Sequence, residues 1–422
     1  NKIRRVDSCR VEEELRYISA KVKKSGKTES LLISDLNFGM YREDLQTAKY
    51  ISALQKTDDW PTRIGSTAGK NKPDRTIQVT NIINAEGLEK GMIGAALQST
   101  DPEVLGAIKR SNISIDKYFK VTSYGKEKGA FTYSEIILGL PMDTLEKHFK
   151  SLQTAVDMGM TVVRMYQLIL LNGSEMDTPE TRQKYAMRTK WRVIPGCSGI
   201  YTILGEDHPV AEYEEIVIET NSLLYQDYLD CRLMNLIVEV FINSAWFEEI
   251  GGLLNALGFS KFEFLVYFKT HSEHYPKKIK SIFDSFLERT ELALFETEGA
   301  LKTMIQKTGF VESYVKGERG GNELLNHKAL CYFNLKETHQ AFFNSFKGFL
   351  KEKSAYTESI ADYTDEVERF SLMRKNNLET KDFAYMARQC LKIQSNILLG
   401  LEGGYDLQAL GECSVSVVNE LV

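Results

Sequence analysis

Apolar positions in the first half of the chain follow two alternating rhythms. Val11, Leu15, Ile18 and Val22 recur at helical spacing and predict a helix over about 11–24. Leu31-Leu32-Ile33-Ser34 is a short apolar run that predicts a buried strand, closed by the polar turn Asp35-Leu36-Asn37-Phe38-Gly39. A helix over about 42–54 follows, and Trp60 to Gly65 reads as the next strand. Thr76 to Thr80 and Ile82-Ile83 fit either type. Met92 to Leu97 predicts a strand ending in Gln98-Ser99, after which Thr100-Asp101-Pro102-Glu103 supplies a cap and an early proline for a helix to Arg110. Glu135 to Leu138 is a strand stopped by Gly139-Leu140-Pro141. Asp143 and Glu146 have capping-box spacing for a helix to about Met158, and Thr161 to Tyr166 is a further strand.

Strands alternating with helices imply parallel β/α units with right-handed crossovers, and about five fit before Pro195. The rhythm alone suits either a β/α barrel or a doubly wound sheet. Polar residues recur where strands end, the rim on which a barrel places its chemistry. Beyond Pro195 the pattern turns helical and aromatic. Val210 to about Leu254 reads as helix, and Ile279, Ile282, Phe283 and Phe286 lie on one face of another. Gly317, Gly320 and Gly321 make a break before helices over about 327–352. The aromatic stripe is expected in the core. The tail changes again: a helix over 381–390, an apolar strand Ile397 to Leu401, a glycine turn and a last helix from Leu407. Three regions are therefore expected: 1–195, 196–375 and 376–422.

A net charge of −5 argues against a general nucleic-acid binder. No apolar run is long enough to span a membrane and no signal peptide is visible, which points to a cytoplasmic protein. The six cysteines are scattered, without a C-x-x-C pair, as reduced thiols would be. His271 and His274 sit in a polar segment and read as a surface pair rather than a metal site. Glu135 is the informative charge: an acid inside an apolar strand needs either a salt-bridge partner or a site to face. The start at Asn1, without methionine, points to a fragment or a processed product.

The succession LLISDLNFGM, GAALQSTDPEVLGAIKR, SEIILGLPMDT and VVRMYQLILLNGSEMDTP resembles radical S-adenosylmethionine enzymes of the kind that carry a cobalamin-binding domain. The resemblance covers Asn1 to about Thr270. It implies an α/β fold: a partial (β/α) barrel followed by a mainly helical lobe and a short C-terminal β/α unit. It also implies S-adenosylmethionine, a 4Fe–4S cluster and, in the complete protein, cobalamin. The implied chemistry is reductive cleavage of S-adenosylmethionine, then hydrogen abstraction or methyl transfer on a small-molecule substrate. By the same resemblance Ser99 contacts the ribose of the cofactor, Arg110 in the following helix pairs with its carboxylate, and Glu135 faces cofactor or substrate. Gly139 allows close approach near the adenine, and Asp35, Asn37 and Arg164 line the same space. The family's C-x-x-x-C-x-x-C motif is absent, so no residue here is assigned to a metal.

A second resemblance covers Asn377 to Leu421, where ILLGLEGGYDLQALGECSVSVVNEL is similar to the C-terminal end of histone-deacetylase-like amidohydrolases. There Tyr405 matches a tyrosine that hydrogen-bonds the scissile carbonyl. No H-x-D or D-x-H pair supplies the zinc such chemistry needs, so Tyr405 reads as a turn tyrosine. The expectations are thus a radical enzyme fragment first, a non-catalytic binding or scaffold module second, and a zinc amidohydrolase third. An open barrel would also expose sheet edges and invite self-association.

Overall fold

The computed structural model describes residues 6–26, 30–68, 72–83, 92–94, 97–110, 123 and 131–376. The chain divides into two compact units, residues 1–137 with 150–166, and 138–149 with 167–422. The tail calls, including the final β/α unit and Tyr405, lie outside the described residues.

In the first unit, helix α1 (Ser8–Ser25) begins where the Asp7 side chain accepts the Cys9 amide. Strand β1 (Ser30–Phe38) pairs in parallel with β2 (Arg63–Ala68). The strand expected to end at Ser34 continues through Phe38, because pairing resumes at Phe38 opposite Ala68 after a register shift. Helix α2 (Arg42–Asp58) covers this sheet, and the ambiguous stretch resolves as α3 (Pro73–Ile83). Leu15, Ile51, Leu54 and Trp60 form one apolar cluster, and Phe38, Ala48, Val79 and Ile83 form another. Asp44 is buried, and its carboxylate accepts the Gly39 and Tyr41 amides at 2.9 and 2.8 Å.

A second sheet has the order β3–β4–β5, from β3 (Met92–Gly94), β4 (Phe131–Leu138) and β5 (Val162–Gln167). β3 and β4 are parallel. Helix α4 (Pro102–Ala107) starts as expected, with Asp101 accepting the Glu103 and Val104 amides at 3.0 Å. It stops three residues short of Arg110. Lys109 turns left-handed (φ 54) and the Arg110 amide closes on the Leu105 carbonyl at 2.8 Å. Helix α5 (Leu145–Asp157) is capped by Thr144, whose hydroxyl accepts the Lys147 amide at 3.2 Å. Asp143, expected in that role, is instead buried against His148 (3.3 Å).

In the second unit a short helix, α6 (Pro179–Lys184), precedes a long antiparallel hairpin of β6 (Arg188–Ile203) and β7 (Glu206–Glu219). The helix expected from Val210 is therefore strand as far as Glu219. Pairing with β6 decides the matter, and the β-branched run Ile216-Val217-Ile218 suits it. Pro195, where the rhythm changes, lies inside β6 at the register shift between Val193 and Ser198, a place where a strand tolerates the missing amide. Helices follow: α7 (Tyr225–Phe241), α8 (Glu248–Ala256), α9 (Lys261–Thr270), α10 (Lys277–Leu292), α11 (Glu298–Ile305), α12 (Phe310–Val315), α13 (Glu323–Phe333), α14 (Leu335–Glu352) and α15 (Glu358–Asn376). The glycine break falls between α12 and α13. The aromatic stripe is core, with Phe264, Phe268, Phe286, Phe343, Phe346 and Phe349 fully buried. Among the described residues no helix is long and apolar enough to cross a membrane.

Candidate functional site

β4 alternates strictly. Thr132, Ser134 and Ile136 are fully buried on one face, and Tyr133, Glu135 and Ile137 are half-buried on the other. On the neighbouring β5, Arg164 and Tyr166 are exposed while Val163 just before them is buried. The Tyr133 phenol feels the charges of Glu135 and Arg164 and the phenol of Tyr166. Burial raises the Tyr133 phenol first, the Glu135 charge adds to it, and Arg164 opposes it. The phenol therefore stays protonated at neutral pH and can donate. An acid, a guanidinium and two phenols together offer partners for the ammonium and carboxylate of a zwitterion and ring faces for a flat group.

Gln98 is locked beside β4 by main-chain bonds. The Gln98 amide donates to the Glu135 carbonyl at 2.7 Å, and the Ile137 amide donates to the Gln98 carbonyl at 2.9 Å. Ser99 follows Gln98, which forms an isolated parallel bridge with Ile136 beyond the end of β3 at Gly94. Its side chain is 1% exposed; the hydroxyl accepts the Asp101 amide at 3.2 Å and lies 3.4 Å from the Ser151 hydroxyl of α5. Arg110 is exposed in the turn that closes α4, not on the helix. Asp35 and Asn37 are exposed on β1, in the other sheet, where the Asp35 carboxylate accepts the Asn37 amide at 2.8 Å. Gly139 belongs to the second unit. It is left-handed (φ 88), and a Cβ there would come within 3.3 Å of the Val217 carbonyl, so the close approach it permits is to β7.

Sequence reasoning singled out Glu135 and Arg164 and passed over Tyr133 and Tyr166. The signal was available, since each lies two residues from a recognised charge on the same strand face. Among the described residues no group of three or more His, Cys, Asp or Glu could hold a metal. Cys9 and Cys197 are exposed, Cys231 and Cys331 are buried, and burial pushes the Cys331 thiol up to about 12.

No protein-family model matches the chain. It is 28% identical over 231 residues to the 2-(S-pantetheinyl)-carbapenam-3-carboxylate methyltransferase of Streptantibioticus cattleyicolor, covering 54% of this chain and 32% of that protein. It is 29% identical over 222 residues to the cobalamin-dependent radical SAM methyltransferase TokK of Streptomyces tokunonensis, covering 52% of this chain and 31% of that protein. The chain thus spans about a third of the length of these curated relatives. A solved structure of the radical S-adenosylmethionine methyltransferase TsrM from Kitasatospora setae, with tryptophan and aza-SAM bound, aligns with a TM-score of 0.34 at 18% identity, over 48% of this chain and 36% of that one.

Proposed function

We propose that the chain carries the S-adenosylmethionine-binding portion of a cobalamin-dependent radical S-adenosylmethionine methyltransferase, folded as a partial β/α barrel. The similarity to two methyltransferases supports the class. The observation that carries the site is the reach of Glu135, Arg164 and Tyr166 to the Tyr133 phenol. In this reading Glu135 receives the ammonium of S-adenosylmethionine and Arg164 its carboxylate. The two phenols flank the adenosyl group. When bound in a complete enzyme, a 4Fe–4S cluster supplies the electron for cofactor cleavage and cobalamin carries the methyl group. The described residues do not fit the cluster, because no cysteine trio is present among them. No step through the cluster is assigned to these residues. A small-molecule substrate completes the proposal.

The test is equilibrium dialysis with labelled S-adenosylmethionine under anaerobic conditions. Saturable binding is expected, weakened about tenfold or more by Glu135→Gln and by Arg164→Met, since each removes a charge-assisted contact. A wild-type chain that binds no S-adenosylmethionine would sink the reading and favour a scaffold role. Reconstitution of the same preparation with iron and sulfide is expected to leave no stoichiometric iron.

A further inference from the structure

Arg232 sits in the middle of α7 and is only 6% exposed. Its Nε is buried and finds no acceptor from the protein. The guanidinium lies 5.4 Å from the Phe286 ring of α10, and burial disfavours its charged form. One turn before it, Tyr228 is fully buried. The Gln167 amide fits its neighbours when its oxygen accepts from Arg192 at 2.8 Å and its nitrogen donates to the Tyr228 hydroxyl. In that arrangement the Tyr228 proton is itself available to donate. Arg192 cannot serve as a second free cation, because Glu214 holds it at 2.6 Å. Glu323 reaches Arg232 through space, yet its buried Oε2 also lacks a hydrogen-bond partner. Nδ1 of His327 bonds to the Glu323 carbonyl at 2.8 Å.

A buried guanidinium without a hydrogen-bonded counter-charge is costly, and replacing such a group by an apolar side chain is often neutral or stabilising. Two buried donors one helical turn apart, beside an aromatic wall, are the partners a planar anion needs. We propose that Arg232 and Tyr228 bind the carboxylate of a small molecule between α7, α10 and α13. A carboxylate suits the site better than a phosphate. One positive charge stands unmatched by hydrogen bonds, and Glu323 opposes any further negative charge.

Thermal unfolding of the whole chain tests this with sodium acetate, phosphate and chloride at matched ionic strength. Acetate is expected to raise Tm by about 2–4 °C above chloride at saturation, with phosphate no better than chloride. Arg232→Met is expected to unfold no lower than the wild type in chloride and to lose the acetate increment. Tyr228→Phe, nearly isosteric, is expected to weaken acetate binding several-fold, which keeps the test open should the Met variant not fold. Glu323→Gln is expected to tighten it by removing a like charge. The proposal fails if acetate and chloride are equivalent or if phosphate alone stabilises. It also fails if the increment survives both Arg232→Met and Tyr228→Phe, which would make acetate an adventitious ion only. A Glu323→Gln variant that unfolds early and binds no acetate would show Arg232 to be merely the ion partner of Glu323.

Discussion

In the second unit, helices meet through rings. Phe247 stacks on Phe342 at 4.0 Å, and Phe268 meets Phe241 edge-on at 4.9 Å and lies 4.7 Å from Tyr275. In the first unit, strand ends are joined by hydroxyls. The Ser151 hydroxyl accepts the Thr100 amide at 2.9 Å, and the hydroxyls of Thr132 and Thr161 accept each other's amides at 3.1 and 3.3 Å. Ring packing scales with buried area, whereas a hydroxyl bridge depends on donor–acceptor distance and angle. The first arrangement suits a lobe that must hold together. The second suits a small sheet on which the proposed function places Glu135 and Arg164.

The largest effect should come from breaking the ring packing. Phe268→Ala removes a fully buried side chain and is expected to cost about 3–5 kcal/mol, measured by denaturant unfolding. An equal loss from a hydroxyl variant would erase the contrast. Next is Arg182, which binds Glu215 through both terminal nitrogens at 2.7 and 2.6 Å and Asp177 at 2.6 Å. Arg182→Met is expected to cost about 2–3 kcal/mol near neutral pH.

Acid then sharpens the comparison, because Glu215 in the second unit and Asp44 in the first are shifted in opposite directions. Burial works to raise the Glu215 carboxyl, but the Arg182 and Thr189 hydrogen bonds outweigh it and hold it below 4.5. Its folded value is depressed, so its contribution is present above 4.5 and lost as pH falls through the folded value. Burial raises Asp44 above 3.8 despite the Tyr41 and Gly39 amides. Its contribution is full below 3.8 and lost as pH rises through the raised value. Arg182→Met should therefore flatten the acid loss of stability, and Asp44→Asn should steepen it. Matching slopes in both variants would remove the distinction. Ser151→Ala is expected to cost about 1 kcal/mol and to speed hydrogen exchange at Thr100. The smallest change is Leu204→Asp at the fully exposed hairpin tip, expected within about 0.5 kcal/mol of the wild type.

The elements that were legible are those whose partners lie close in sequence. α1 declares itself by period, α4 and α5 by the start signals before them, and Asp101 caps α4 as its spacing implies. β7 was not legible, because Val210 to Glu219 becomes strand through pairing with β6 rather than through its own pattern. The site divides the same way. A charge inside an apolar strand marks Glu135 and Arg164, while Tyr133 and Tyr166 look like ordinary core residues until the strand faces are seen. The Ser99 position could be read, but its packing on Ser151, 52 residues on, could not. The same holds for Gly139 and its distant neighbour Val217.

Gly139 has a further consequence, in the currency of inheritance. Every single-base change that alters a glycine codon and keeps the chain intact adds a side chain. At this position any side chain faces both a left-handed backbone and a carbonyl 3.3 Å away. The site is therefore a sensitive recorder of selection: in descendants of this gene still required to fold, drift elsewhere should leave codon 139 silent. A lineage released from that requirement should lose its glycine there early.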